Sequence, residues 1–230
     1  MHIPDGFINA GTSAAAGVAS AGGVGFALRR AAANLEDRQA PLAGLVAAFV
    51  FAAQMLNFPV AAGTSGHLLG GVLASVLVGP WAGAVCITLV LLVQGLFFAD
   101  GGLSALGLNV LNMAIVGALG GYAVFAGLRR VLPRRRSGVV AGSAAAAFTS
   151  VVLAAVAFSV EYAIGGVSNV PAGAVLAAMA GVHILIGIGE AVITAATVSA
   201  VLAVRPDLVY GARDLVPGHS HGGARSMVGR

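Results

Sequence analysis

The sequence predicts an all-α membrane protein, a polytopic bundle of about seven helices. Only 9% of its 230 residues are charged and 59% are apolar, whereas a soluble domain carries roughly 25% charged residues. Its 34 glycines, with many alanines and serines, suit helices that pack closely in a lipid bilayer. We therefore expect a single membrane-embedded domain over residues 1–204 and a cytoplasmic tail over residues 205–230.

Apolar segments recur at about the length of 20 residues that one membrane crossing requires. The third is short, at about 13 residues or ~20 Å of helix, and we expect it to cross incompletely or obliquely within the bundle. Pro80 separates it from the fourth, because proline breaks a helix, and the last is long enough to tilt or to extend beyond the lipid. The segments cover about residues 10–28, 41–58, 67–79, 80–98, 106–128, 139–163 and 172–204.

The arginines predict the orientation of the bundle. Three connections, residues 59–66, 99–105 and 165–171, contain neither Lys nor Arg and alternate with arginine-containing loops. Because positively charged loops stay in the cytoplasm, the N-terminus is predicted outside and the C-terminus inside. The first residues of the chain would then share the outer face with these three connections. The arginines that decide this are at positions 29, 30, 38, 129, 130, 134, 135, 136, 205 and 213.

The first two residues, Met1 and His2, can form a metal chelate. The free terminal amine, the His2 backbone nitrogen and the His2 Nδ1 close two fused rings with their nitrogens near one plane, which suits Ni(II), Cu(II) and, less strictly, Co(II). Pro4 and the Asp5-Gly6 turn are expected to hold this end in place. The basic start and short apolar core of a cleavable signal peptide are missing, so we expect the first helix to be retained. Residues 1–9 are therefore predicted to be a metal-binding segment, provided that the amine is unblocked.

His67 is the candidate for the fourth ligand. It opens the third apolar segment and lies at the predicted outer mouth of the bundle. Glycines on both sides of it let other backbone approach closely. A lone histidine near a helix start is more often a polar residue at an interface, but Met1 and His2 on the same side favour the ligand interpretation.

Other polar side chains are candidates for contacts around the metal ligands. Gln94 and Asp100 lie late in the fourth segment and just after it, and Ser65 lies in the first outer loop. Asn109 and Asn112 share a face of the fifth segment. These groups can orient the ligands or shield the site. Hydrogen bonding between helices explains them equally well.

Glu161, His183 and Glu190 lie in apolar segments, where ionisable residues are costly and often functional. His183 and Glu190 are seven residues apart and share a helical face, which is compatible with a proton relay. A structural hydrogen bond to a neighbouring helix is the favoured interpretation. His219 and His221 belong to a tract that can bind metal weakly, and we interpret it as part of a flexible cytoplasmic tail.

The sequence argues against several function classes. It lacks the G-x-x-x-x-G-K-[ST] loop, so the chain is not expected to hydrolyse ATP by that route. Neither paired carboxylates nor a Ser-His-Asp spacing suggests an enzyme. The arginine clusters flank membrane segments rather than forming a basic face, so we expect no nucleic-acid partner. Aromatic residues, at 6%, are few for a cavity that binds an organic molecule.

Short motifs in the first half of the chain carry a family resemblance: Met1-His2-Ile3-Pro4-Asp5-Gly6-Phe7, residues 57–59, Gly63-Thr64-Ser65-Gly66-His67, Gly70-Gly71, Gly79-Pro80-Trp81, residues 94–98, Asp100-Gly101-Gly102 and residues 109–113. They resemble the CbiM/NikM family, the substrate-binding membrane subunits (S components) of energy-coupling-factor transporters for cobalt and nickel. The match is specific to about residue 122 and continues to about residue 204 as helices only. It implies a seven-helix S component whose metal site consists of the Met1 amine, the His2 backbone and side chain, and His67.

The resemblance also implies partners and a location. The partners are a transmembrane coupling (T) subunit, cytoplasmic ATPase subunits and often a small accessory membrane subunit. The location is the bacterial or archaeal cell (inner) membrane, as a multi-pass protein of cobalt or nickel transport, with cobalamin biosynthesis as one use of the metal. Ni(II) or Co(II) would be the transported substrate, with no catalytic cofactor. Two alternatives stay open: an S component or permease for a small organic nutrient, and an intramembrane enzyme that uses Glu161, His183 and Glu190.

Overall fold

Helices make up most of the chain that the computed structural model describes, which is residues 1–34, 40–60 and 65–215. Each predicted apolar segment contains one helix, so the all-α prediction is confirmed. Strands β1 and β2 pair antiparallel between the second and third helices, and two 3-10 turns, Pro206–Leu208 and Tyr210–Leu215, follow the last helix. The elements are α1 (Ala10–Asn34), α2 (Ala40–Gln54), β1 (Phe58–Pro59), β2 (Ser65–Gly66), α3 (Gly71–Val78), α4 (Pro80–Phe97), α5 (Leu106–Leu128), α6 (Arg136–Gly165) and α7 (Ala172–Val204).

Four of the described helices, α4 to α7, are long and apolar enough to cross a membrane, at 18 to 33 residues each. Helix α1 has 25 residues but is less apolar, and α2 has 15. Many aliphatic and aromatic side chains on the outside of the bundle are exposed, such as Phe97 of α4 and Leu185 of α7. Exposed apolar surface of this extent is typical of a membrane protein.

The third segment begins later than the sequence predicts. Its helix, α3, covers only Gly71–Val78, so residues 67–70 are not helical. One reason is that Gly70 has a φ of 70°, the left-handed conformation that glycine adopts without a Cβ penalty. All eight residues of α3 are buried. A helix of ~12 Å that is surrounded by protein does not cross the bilayer alone, in agreement with the expectation of an incomplete crossing.

Helix α5 has an unusual centre. Its residues Leu111–Gly120 form a π-helical segment between two α-helical parts. Helix α3 packs against it at short range, and a Cβ on Gly71 would lie 2.9 Å from the Ala118 nitrogen. Helix α1 touches α5 in the same way, since a Cβ on Gly107 would lie 2.7 Å from the Gly17 nitrogen. Small residues therefore allow these helices to meet backbone to backbone.

The first nine residues lie across one end of the bundle. The Asn9 N–H donates to the Gly165 carbonyl at 2.7 Å, and the Val167 N–H donates to the Phe7 carbonyl at 3.1 Å. The start of the chain therefore lies against the connection between α6 and α7. It also contacts the connection between α4 and α5, where the Gly102 N–H donates to Ile3. Two of the connections predicted to share one face, residues 99–105 and 165–171, thus meet the start of the chain at one end of the bundle, and the side of the membrane that this end faces stays a prediction.

Candidate metal site

Asn109 of α5 holds the backbone next to His2. The Ile3 N–H donates to Asn109 Oδ1 at 2.7 Å, and Asn109 Nδ2 donates back to the Ile3 carbonyl at 3.3 Å. The Gly102 N–H donates to the same carbonyl at 2.9 Å. Met1 and Ile3 are fully buried. The amine of Met1 is therefore enclosed by protein, which is rare for a chain end, since most chain ends are poorly ordered.

The His2 ring is fixed so that its Nδ1 is free to accept a metal ion. Its Nε2 lies 3.2 Å from Gln94 Oε1. An amide oxygen only accepts, so in the neutral ring with this Gln94 orientation Nε2 donates and the lone pair is on Nδ1. This Nδ1 is buried and has no hydrogen-bond partner, although Asp100 Oδ1 lies 3.1 Å from it. A lone pair beside a carboxylate oxygen is an arrangement that a cation would stabilise.

The His67 ring stacks on the His2 ring. The two centroids are 4.5 Å apart and the planes differ by 27°. His67 Nδ1 donates to the Leu68 carbonyl at 2.8 Å, which leaves the lone pair on Nε2. This Nε2 is also buried without a hydrogen-bond partner. The structure therefore brings His67 to the Met1-His2 end of the chain, with an imidazole nitrogen available for a ligand.

A strained turn brings Asp100 to His2. Ala99 and Gly101 both have positive φ, at 52° and 92°, which for a residue other than glycine is a costly conformation. A Cβ on Gly101 would lie 2.9 Å from His2 Cδ2, so the ring fits only because residue 101 is glycine. On its other side the Asp100 carboxylate accepts a hydrogen bond from Asn57 Nδ2 at 3.3 Å.

The protonation states of these groups suit a cation. Burial lowers the pKa of the Met1 amine well below its ordinary value, although the charge of Asp100 opposes this. Burial also lowers the pKa of the His2 imidazole, again against the effect of Asp100. Burial alone would raise the pKa of the Asp100 carboxyl, but its interactions with His2 and Asn57 outweigh this and lower it. These shifts favour the unprotonated forms of the amine and the imidazole and the negative form of the carboxylate.

Side chains alone do not form a metal centre in the described part of the chain. Across residues 1–34, 40–60 and 65–215, no group of three or more His, Cys, Asp and Glu side chains is arranged to hold a metal ion. A metal site at His2 and His67 would take its further ligands from other groups. The buried Met1 amine and the His2 backbone nitrogen are the groups that the predicted chelate would use.

The candidates for surrounding contacts separate into two groups. Gln94, Asp100 and Asn109 all contact the first three residues, as described above. Ser65 lies in β2 opposite Pro59 and is half-buried, and its contribution to the site stays a prediction. Asn112 does not share the role of Asn109, because its Nδ2 donates to Glu161 Oε2 at 2.7 Å on the neighbouring helix.

The sequence did not reveal the partner of Glu190. Its two carboxylate oxygens accept the N–H groups of Leu69 and Gly70, at 2.8 and 2.6 Å. A structural hydrogen bond was the favoured interpretation of this carboxylate, but its partner is the chain just after His67 rather than a helix. His183 Nδ1 donates to the Met179 carbonyl at 2.8 Å, and the proton relay between His183 and Glu190 stays a hypothesis. Nothing in the sequence pattern links Glu190 to residues 69 and 70.

Some predicted features fall outside the described residues. They are Arg38 in the first arginine-containing loop, Gly63 and Thr64 of the motif before His67, and the tail histidines His219 and His221. The tail prediction for residues 205–230 is described only as far as Leu215, where Arg129 Nη2 donates to the nearby Asp214 at 2.8 Å.

The chain is similar to known metal transport proteins. The family model CbiM, described as the cobalt uptake substrate-specific transmembrane region, matches residues 2–208. A putative metal transport protein of Haloquadratum walsbyi is 40% identical and aligns over 91% of this chain and 94% of its own length. A putative fused nickel transport protein NikMN of Archaeoglobus fulgidus is 39% identical, over 91% of this chain and 68% of its own length. A crystal structure of a transition metal transporter, 30% identical, superposes with a TM-score of 0.82 over 89% of this chain and 93% of that one.

These matches extend over both halves of the membrane region and include His2 and His67. The relatives are named as metal transport proteins, which supports a transporter subunit and not an intramembrane enzyme. The chain therefore belongs to the CbiM family, the substrate-specific transmembrane regions of cobalt uptake systems.

Proposed function

We propose that this subunit captures Ni(II) or Co(II) at the outer face of the membrane with a four-nitrogen site. The ligands are the Met1 amine, the His2 backbone nitrogen, His2 Nδ1 and His67 Nε2. One observation carries the proposal: His67 Nε2 is buried without a hydrogen-bond partner and His2 Nδ1 is buried beside the Asp100 carboxylate, in two stacked rings next to a buried amine. Nitrogen ligands in a plane suit these ions.

The surrounding groups support this ligand set. Gln94 accepts the Nε2–H of His2 and so directs Nδ1 toward the ion, as partners of metal-binding histidines generally do. Asp100 places a negative charge beside the cation. Affinity alone would favour Cu(II) over Ni(II) and Co(II), so selectivity depends on geometry and on the scarcity of free copper. Import then requires the partner subunits: a transmembrane coupling subunit and cytoplasmic ATPases, with a small accessory membrane subunit in some complexes.

Replacing Asn109 by Ala tests the role of the backbone support. The N-terminal segment should lose two hydrogen bonds at Ile3, so the chelate is less well positioned, and nickel affinity should fall by about 10–100-fold. Calorimetric titration of the purified subunit measures this. Thr149→Ala, at a half-buried site on α6, is the control and should bind as the wild type does. An Asn109→Ala subunit with full affinity would contradict the proposed positioning.

The proton balance of binding tests which groups are already unprotonated. Because the pKa values of the Met1 amine and the His2 imidazole are lowered, these two groups should release fewer protons on binding than an exposed amine and imidazole would. The His2 amide should still lose its proton, so affinity should rise with pH near neutrality. In acid, affinity should fall more steeply, once pH approaches the lowered pKa values and both bases take up protons.

Calorimetry in buffers of different ionisation enthalpy measures this proton number. A peptide of residues 1–7 is the control, because its exposed amine has an ordinary pKa and should release more protons on binding nickel. Zero proton release by the intact subunit would rule out the amide nitrogen as a ligand.

The proposed orientation is tested by labelling from outside the cell. In a Cys86→Ala background, a membrane-impermeant thiol reagent should modify Ser65→Cys and leave Arg135→Cys untouched, because arginine-rich loops stay in the cytoplasm. Permeabilised cells, in which both positions should react, control for accessibility. The reverse pattern would place the metal site on the inner face.

A further inference from the structure

His183 of α7 is a buried histidine that the capture site leaves unused. Its side chain is fully buried, and its Nδ1 donates to the Met179 carbonyl at 2.8 Å. The lone pair is therefore on Nε2, which is also buried and has no hydrogen-bond partner among the described residues. His67 has the same arrangement, with Nδ1 bound to a carbonyl and a free Nε2. Both histidines thus present a nitrogen of the same kind.

His183 lies next to the backbone that carries His67. A Cβ on Gly66, the residue before His67, would lie 3.5 Å from His183 Cε1, the ring carbon between Nδ1 and Nε2. A charge on the Met1 amine would oppose protonation of either imidazole, and a charge on His183 would oppose protonation of His67, so these groups are near one another. His183 therefore lies close to the chain that carries His67.

Glu190 holds this arrangement together. Both of its oxygens bind the N–H groups of Leu69 and Gly70, so the chain after His67 is attached to α7. Glu190 lies two helical turns, ~10 Å, beyond His183. Its carboxylate is engaged by the backbone, which explains why it does not satisfy His183 Nε2. His183 is an ionisable residue with an unpartnered nitrogen in a helix long enough to span the membrane. Such residues are costly and usually have a function, and binding a ligand is one that this nitrogen can perform.

We propose that His183 Nε2 is an additional metal-binding nitrogen, which together with His67 Nε2 receives Ni(II) or Co(II) as the ion leaves the N-terminal chelate. This inference rests on the proposed capture site. Release from that site requires the bond between the ion and the His2 amide nitrogen to break, and this nitrogen then takes up a proton from water. The His183 lone pair forms a new bond as the old one breaks, so the ion exchanges ligands without being left on one imidazole. Imidazole nitrogen suits both ions.

The substitution His183→Asn separates this role from packing. The asparagine amide can still donate to the Met179 carbonyl, but it has no imidazole nitrogen for the ion.

All variants carry His219→Ala and His221→Ala in the full-length chain, so that tail histidines do not contribute. In cells with the complete transporter, nickel uptake by His183→Asn should fall by at least about tenfold, the size of effect seen when groups around a metal site are lost. The nickel affinity of the purified subunit should stay close to wild type. Thr194→Val, a buried polar residue on the same helix, should change neither.

A second measurement detects the ligand directly, with Cu(II) as the probe. In a His2→Ala subunit the N-terminal imidazole is gone, and pulsed EPR should count two imidazoles on the bound copper, those of His67 and His183. Adding His183→Asn should reduce the count to one.

A count that does not change, or wild-type uptake by His183→Asn, would overturn the proposal and leave the capture site standing. A loss of nickel affinity in folded His183→Asn would also overturn it, because His183 would then belong to capture itself. Full affinity in His67→Ala would instead refute the capture site.

Discussion

Adding one residue before Met1, or acetylating its amine, should abolish tight binding of Ni(II) and Co(II), although no side chain changes. An acetyl group removes the lone pair of the amine. An added residue makes His2 the third residue, and a chelate with two amide nitrogens would then take all four planar positions and exclude His67. The structure adds a steric reason, since Met1 is fully buried and Ile3 is fixed by Asn109 and Gly102. There is no room for an extension without displacing this segment.

The matched control is an extension of the same length at the other end of the chain. A C-terminal tag follows Arg230, far from His2 in sequence, and should leave binding and uptake unchanged. Nickel or cobalt uptake by cells and calorimetry of the purified subunits measure the two versions, with size-exclusion profiles reporting on folding. Equal uptake by the N-extended and C-tagged proteins would mean that the terminal amine is not a ligand.

Replacing either imidazole should have an effect of similar size. In His2→Ala and His67→Ala one nitrogen of the proposed plane is lost. Loss of a group that only supports the ligands lowers metal affinity by about 10–100-fold, and we expect a larger fall in nickel affinity here. The protein should still fold, because the Ile3 hydrogen bonds and the Glu190 contacts do not involve either imidazole. Calorimetric titration with Ni(II) and Co(II) is the measurement.

His67→Asn distinguishes ligation from packing at this position. Its amide can still donate to the Leu68 carbonyl, as His67 Nδ1 does, but it lacks the Nε2 lone pair. It should therefore bind nickel as poorly as His67→Ala does. A His67→Asn subunit of full affinity would show that the local hydrogen bond, and not the imidazole nitrogen, is what the site needs.

The sequence by itself determined the helices and predicts the N-terminal chelate. Apolar segments of membrane length must satisfy their backbone groups internally, so they become helices regardless of their neighbours. The Met1-His2 chelate is equally local, because the amine, the amide nitrogen and Nδ1 belong to two adjacent residues. The link to His67 needed only the prediction that their connections share one end of the bundle, and the structure does bring them together.

Only the tertiary structure decided which nitrogens are free and what holds them. In the neutral His2 ring the lone pair is on Nδ1 because Gln94, which belongs to α4, accepts the Nε2–H. The late start of α3 depends on Gly70 and on Glu190, 120 residues further along the chain. His183 shares a helical face with Glu190, yet the two contact different parts of the chain around His67. His183 lies beside Gly66, whereas Glu190 binds the backbone of residues 69 and 70. Helical periodicity specifies a face of one helix, whereas a hydrogen-bond partner depends on how several helices pack, and that information is absent from any local pattern.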